Sequence, residues 1–186
     1  IVHAGGHGDY HGLDTLIRAM DALPAGRFGL VTIGEGAAKD RLRSLADGLA
    51  NVHARFIDRV DRASALSAMT EGDVVYAGLR GHSIYRFGIG LNKIYDAMLC
   101  GRPIIGSYTA GNDPVTEAEC GIRVPADDPR SLAAGIGRLA SFSADRRNEM
   151  GENGRRHVLE HHDFESLAGR LMDAIAKRRT SSEGLR

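Results

Sequence analysis

The chain has 186 residues, 42% of them hydrophobic and 26% charged, the balance of a soluble globular protein with a sizeable core. Lys plus Arg and Asp plus Glu stand at 24 each, which excludes a general field for nucleic acid or an anionic membrane, so any bound anion needs a local site. Two cysteines, Cys100 and Cys120, make neither a disulfide framework nor a zinc cluster, and no apolar run approaches a membrane span.

The chain opens at Ile1, without Met and inside what reads as a strand, and is taken as a fragment of a longer cytosolic protein. "IVHAG" reads as the first strand and "GLDTLIRAMDAL" (12–23) as a helix by its apolar spacing. "FGLVTIG" (28–34) is a strand, "AKDRLRSLADGL" (38–49) a helix, and "VHARFI" (52–57) a third strand. "RASALSAMTEG" (62–72) is helical and "DVVYAGL" (73–79) is a strand. A glycine-bearing loop then leads to a helix over about 91–100 and the strand "PIIGS" (103–107). A short helix "DPVTEAE" (113–119) and a last strand "GIRVP" (121–125) follow. From Asp128 the chain is helical, with breaks near Ser141–Ser143 and His162–Asp163 and a polar, frayed tail over 177–186.

Six short strands alternating with helices predict a parallel sheet covered on both faces, an α/β, doubly wound, Rossmann-like fold, as one domain over 1–176. Ligands of such sheets sit beyond the carboxyl ends of the strands. Three loops there are rich in glycine: "GGHGDYHG" (5–12), "GEG" (34–36) and "GHSIYRFGIG" (81–90). Glycine admits close backbone approach, and helix amino termini favour negative charge, although any one such loop also reads as a tight turn. The first loop is a near miss to a dinucleotide fingerprint: Gly6 and Gly8 fit, but His11 stands where the third glycine belongs, and Glu35 imitates the ribose-binding acid.

The helix after the third loop carries Asn92, Lys93 and Asp96 in its first turns, while Ile94, Ala97 and Met98 bury its other side. Its plain reading is a solvated first turn with a Lys93–Asp96 pair. An ammonium, free N–H groups and a carboxylate at this spacing also suit a sugar nucleotide, with Lys93 and the amides on the diphosphate and Asp96 on ribose hydroxyls.

"YDAMLCGRPIIGS" (95–107) resembles the "EAMACGxPVIAS" segment of retaining glycosyltransferases of the GT-B fold, the group 1, family-four-like enzymes that include bacterial surface-polysaccharide transferases. "FIDRVDR" (56–62) is similar to that family's "FLGRVPR", and "GIRVPADDPRSLAAGI" (121–136) to its "GLLVPPGDPEALAEAI". "GENGRRHVLEHHDFESLAGRL" (151–171) looks like its closing helices, so the likeness runs along nearly the whole chain. It implies the carboxy-terminal, donor-binding half of such an enzyme.

By that resemblance Asp96 takes the ribose-binding place of the second Glu in the family's Glu-seven-residues-Glu motif, and the first Glu falls on Gly88. "YRFGIGLNKIYDAM" (85–98) is closer to a "YxxGISPNKxxEYM" subgroup that often uses acetamido-sugar donors, with Gly90, Asn92 and Lys93 replacing the usual diphosphate loop. The family's phosphate-binding Arg and Lys near the first strand have no evident match, His11 holds the lysine position, and Lys93 with Arg86 would compensate. Arg59 and the backbone of Ile57 and Asp58 would lie near the nucleobase, with Glu35 at the second-strand loop and Gly6 at the first.

The resemblance implies transfer from a nucleotide sugar, a UDP-sugar above all, without cofactor or metal. Its partners would be an acceptor-binding amino-terminal domain holding the catalytic histidine and a lipid-linked or polysaccharide acceptor, the full-length enzyme being cytoplasmic and peripheral at the inner membrane. The fragment alone is expected to be inactive. A GT-B UDP-sugar epimerase, a non-catalytic sugar-nucleotide-binding module and, more distantly, an NAD-dependent dehydrogenase stay open. His157 and His161, four apart on a helix, could pair on a metal but show no third ligand; Asp127-Asp128-Pro129 and Asn112-Asp113-Pro114 read as helix caps, and Asp145-Arg146-Arg147 as a solvated face.

Overall fold

The computed structural model describes residues 1–183; the last three residues of the predicted tail, 184–186, lie outside them. Six strands, β1 (Val2–Ala4), β2 (Leu30–Ile33), β3 (Ala54–Ile57), β4 (Val75–Gly78), β5 (Ile104–Ser107) and β6 (Gly121–Val124), form one sheet in the order β3-β2-β1-β4-β5-β6. Every pairing is parallel, in the register Val2 opposite Val31 and Val75, and Ile104 opposite Val75 and Gly121. Each strand falls within its predicted run.

Helices α1 (Leu13–Asp21), α2 (Lys39–Asp47), α3 (Arg62–Glu71), α4 (Asn92–Leu99), α5 (Pro114–Glu117), α6 (Pro129–Ser141), α7 (Ala144–His161) and α8 (Phe164–Glu183) cover the sheet. One core joins α1, α2 and α6 through Leu16, Ile17, Leu42 and Leu132. The other lies beneath α3, α4 and α7 around Met69, Ile94, Met98 and Val158. Helix α8 continues through Glu183, so residues 177–183 extend a helix instead of fraying. Two 3₁₀ turns, Asp9–His11 and Ser83–Phe87, were read as plain loop; single turns this short leave no periodicity in a sequence.

The glycines of "GENG" are explained by α7 crossing α4. A Cβ on Gly151 would stand 1.9 Å from the Gly101 carbonyl oxygen, and one on Gly154 2.9 Å from Cys120 Cβ. Both expected aspartate caps are present: Asp128 accepts from the amides of Arg130 and Ser131, and Asp113 from that of Thr116. Asp113 also accepts from the buried Tyr108 hydroxyl at 2.9 Å and from Arg123 Nε at 3.0 Å. Asp113→Ala should therefore lower the unfolding free energy by about 2–3 kcal/mol, a lost cap plus a stranded buried hydroxyl, in urea denaturation. Asp113→Asn, which retains an acceptor, should lose less than half as much; equal losses would show that the carboxylate charge, and not its place as an acceptor, carries the effect.

Candidate functional site

Strand order reverses between β1 and β4, and the loops beyond their carboxyl ends frame a cleft of about 400 Å³ lined by Gly5, Gly6, Glu35, Arg59, Arg62 and Asp96 among others. Its floor is tight. A Cβ on Gly34, whose φ is +145°, would lie 2.0 Å from the Gly5 carbonyl oxygen, and one on Gly36 2.5 Å from the His7 carbonyl carbon. The Gly5 amide donates to Ile33 and the His7 amide to Glu35, so the first and second loops are tied backbone to backbone.

The helices α1, α2 and α4, which follow the three central strands β1, β2 and β4, have no side-chain cap. By contrast Asp61, Asp113, Asp128 and Ser143 cap α3, α5, α6 and α7. Uncapped first turns leave N–H donors open and retain the positive end of the helix dipole.

Lys93, on the first turn of α4, reaches across to the β1 loop. Its ammonium lies 3.0 Å from His11 Nδ1, and a Cβ on Gly5 would stand 3.1 Å from it. Burial lowers the Lys93 pKa to about 7. Around it cluster His3, His7 and His11, all buried. Burial and the neighbouring Lys93 depress His11 to about 4, and His3 falls well below its ordinary value for the same two reasons. His3 Nδ1 faces the Tyr76 carbonyl at 3.3 Å, whereas His3 Nε2 and both ring nitrogens of His7 have no hydrogen-bond partner.

Asp96, one turn further along α4, accepts from Arg62 Nη2 at 2.6 Å. The Lys93–Asp96 pair of the plain reading is not formed, since Lys93 meets His11 and Asp96 meets Arg62 of α3. Behind Glu35, Lys39, buried on α2, donates to Glu35 at 2.7 Å and to Asp58 at 2.6 Å. These contacts hold the Lys39 pKa up, through its hydrogen bonds to Asp58 and then to Glu35.

Of the residues singled out in the sequence, Gly6, Glu35, Arg59 and Asp96 line one cleft, and Lys93 borders it behind Gly5. Asn92 is exposed at the start of α4. Gly88 and Gly90 belong to the loop before α4, where Asn112 accepts from the Ile89 amide and donates to its carbonyl. Gly88 has φ +112°, with Asn112 Oδ1 3.3 Å from where its Cβ would be. Arg86 departs from expectation. Its guanidinium stacks on Phe87 at 4.5 Å and it lines a second groove with Gly81, Ser83, Thr109 and Gly111, so it does not join Lys93. The reason is the Ser83–Phe87 turn, whose residues are mostly exposed and turn Arg86 outward.

His3, His7, Lys39 and Arg62 were not singled out as site residues. The four-residue spacing of Glu35 and Lys39 carried a usable signal; His3 sits in an apolar run and its burial beside Lys93 is decided across 90 residues of chain. His157 and His161 lie 4.8 Å apart with the His162 ring 5.4 Å from His157, and among the described residues no group of three His, Cys, Asp or Glu side chains is placed to hold a metal. Nor, among the described residues, is any helix long and apolar enough to cross a membrane.

A six-stranded parallel sheet with its cleft at the strand-order reversal is the architecture of a GT-B nucleotide-binding half. The family model for group 1 glycosyl transferases matches residues 1–141, and the chain belongs to that family. It is 26% identical over 159 residues to an uncharacterized glycosyltransferase of Methanocaldococcus jannaschii, covering 83% of this chain and 39% of that one. It is 35% identical over 130 residues to a phosphatidyl-myo-inositol mannosyltransferase of Mycolicibacterium smegmatis, covering 67% of this chain and 31% of that one. The chain thus spans between three and four tenths of these relatives' length.

Among solved structures, a sucrose-phosphate synthase from Thermosynechococcus elongatus superposes with a TM-score of 0.77 at 25% identity, over 97% of this chain and 45% of that one. The Anabaena protein HepE, solved in complex with UDP-glucose, superposes at 0.74 and 18% identity, over 95% and 48%. The latter likeness is one of fold.

Proposed function

We propose that this chain is the donor-binding half of a glycosyltransferase that takes a nucleotide sugar, above all a UDP-sugar, and serves transfer to a polysaccharide or glycolipid acceptor. The observation that carries the reading is the placement of Lys93 and the uncapped α1 and α4 at the reversal of strand order, beside a cleft lined by Glu35, Asp96, Arg59 and Arg62. Positive groups at the centre suit a diphosphate, and Asp96 at the rim suits ribose hydroxyls. A related fold in complex with UDP-glucose supports the same base and donor class.

In this reading negative charge grows on the diphosphate as the bond between the sugar and its oxygen breaks. Lys93 and the helix N–H groups stabilise that charge, and no metal is required. Retention of configuration, an acetamido sugar as the donor group, and a catalytic histidine with the acceptor site on a preceding domain follow from the family likeness. Gly88 supplies no carboxylate to the donor sugar, and its amide is engaged with the Tyr85 carbonyl.

Calorimetric titration with UDP should give saturable binding, with the same affinity in EDTA as in magnesium. GDP and NADH should bind more weakly or not at all. Absence of UDP binding would overturn the assignment of the seat, and binding that requires magnesium would overturn the metal-free part of it.

A further inference from the structure

Two lysines lie just behind the lining of this cleft, Lys93 beside Gly5 and Lys39 beside Glu35, and the fold treats them in opposite ways. Lys39 is held between two carboxylates, Glu35 and Asp58. Among the described residues Lys93 has no ion pair; its one hydrogen-bonding side-chain neighbour is His11. The groups that face it are His3 from β1, His7 and His11 from the β1 loop, and the backbone of Gly5. Tyr76 of β4 meets His3 through its carbonyl, and Lys39 and Glu35 of the second-strand side act on His7. On α4 itself, Asn92 points to solvent and Asp96 is engaged by Arg62 of α3.

So Lys93 sits in a pocket of neutral rings, several of whose nitrogens lack any partner, with no negative charge to hold its proton. We infer that binding of a nucleoside diphosphate at this seat is coupled to uptake of one proton by Lys93, the ligand supplying the counter-charge that the protein withholds. This rests on the diphosphate reading above and goes beyond it.

The balance is simple. Before binding, the amine is largely neutral above pH 7, and His11 Nδ1 and the Lys93 nitrogen share one hydrogen bond. A diphosphate beside it favours the ammonium, the lone pair of Nζ takes a proton from solvent, and the new N–H donates to a phosphate oxygen. The three histidines stay neutral, because each is buried and faces the same cation.

The sign of the pH dependence follows. A group whose pKa rises on binding takes up protons, so affinity is greatest at low pH and falls as pH climbs past the pKa of the free lysine. With that pKa at about 7 and the bound value near an ordinary lysine, about 0.9 proton is taken up per UDP at pH 8. The terminal phosphate of UDP is itself fully ionised there, by analogy with a phosphomonoester titrating at about 6, so it adds nothing to the count.

The test is calorimetry of the 186-residue chain with UDP at pH 8 in HEPES and in Tris, whose ionisation enthalpies differ. The observed heats should differ by nearly the full difference in buffer ionisation enthalpy, and affinity should fall several-fold between pH 7 and pH 8. Lys93→Arg, whose guanidinium stays charged, should bind UDP with heats that no longer depend on the buffer. Lys93→Met, which removes the titrating group without adding bulk, should also show no dependence, with weakened binding.

UDP binding with equal heats in both buffers would overturn proton uptake and leave the diphosphate seat standing. Uptake that persists in Lys93→Arg and Lys93→Met would assign the proton to a histidine and overturn the role of Lys93. Failure of the unaltered chain to bind UDP would overturn the seat and this inference together.

Discussion

Lys93→Ala should weaken UDP binding by about 10- to 150-fold, the loss of a charge-assisted hydrogen bond of about 1.5–3 kcal/mol, while leaving uridine affinity nearly unchanged. The contrast follows from placement. Lys93 reaches the β1 loop beside His11 and the uncapped start of α4, where phosphate charge would be held. Asp96 lines the cleft against Arg62, and with the ribose role proposed for it Asp96→Ala should weaken uridine and UDP alike. Titration of both variants with both ligands provides the check. Equal losses for uridine and UDP in Lys93→Ala would place its role in shaping the cleft and not in binding charge. Folding is not expected to suffer, since truncation removes a cation that has no ion-pair partner among the described residues.

Gly34→Ala is the substitution with the largest expected effect on stability. A methyl at this position would stand 2.0 Å from the Gly5 carbonyl oxygen, on backbone with φ +145°. Neither strand end can retreat, because the Gly5 amide is bonded to the Ile33 carbonyl and the Gly34 amide to that of Ile57. Strained backbone and forced overpacking together are expected to lower the unfolding free energy by about 3–5 kcal/mol. Gly29→Ala, with open space around its Cβ and no positive φ, is the control and should lie within about 0.5 kcal/mol of the unaltered chain. A Gly34 variant as stable as that control would mean the β1 and β2 loops are not locked together. UDP binding should also fall with Gly34→Ala, because the same contact sets the cleft floor.

The limits of the sequence reading are clearest at particular residues. Ile94, Ala97 and Met98 were legible as the buried side of α4 from spacing alone, and all three are fully buried. Asp113 and Asp128 were legible as caps because an acid before proline at a helix start has a local cause. Arg86 was misplaced: next to Gly88 in the chain, it was grouped with Lys93, but the 3₁₀ turn sends it to a different groove. The plain reading of α4, a Lys93–Asp96 pair, is absent for a similar reason, since each side chain has a partner from a distant segment, His11 at 82 residues and Arg62 at 34.

By itself, the sequence determined the parallel doubly wound sheet, its helices and the family to which the chain belongs. Periodicity, glycine and proline act over a few residues, and the linear code carries them whole. Only the tertiary structure decided the electrostatic character of the site. It set Lys39 between two carboxylates and left Lys93 among neutral histidines, although both are lysines at the start of helices. The charge a lysine keeps depends on burial and on the groups within a few ångströms, and those groups come from β1, its loop, α2, α3 and α4 only once the chain has folded.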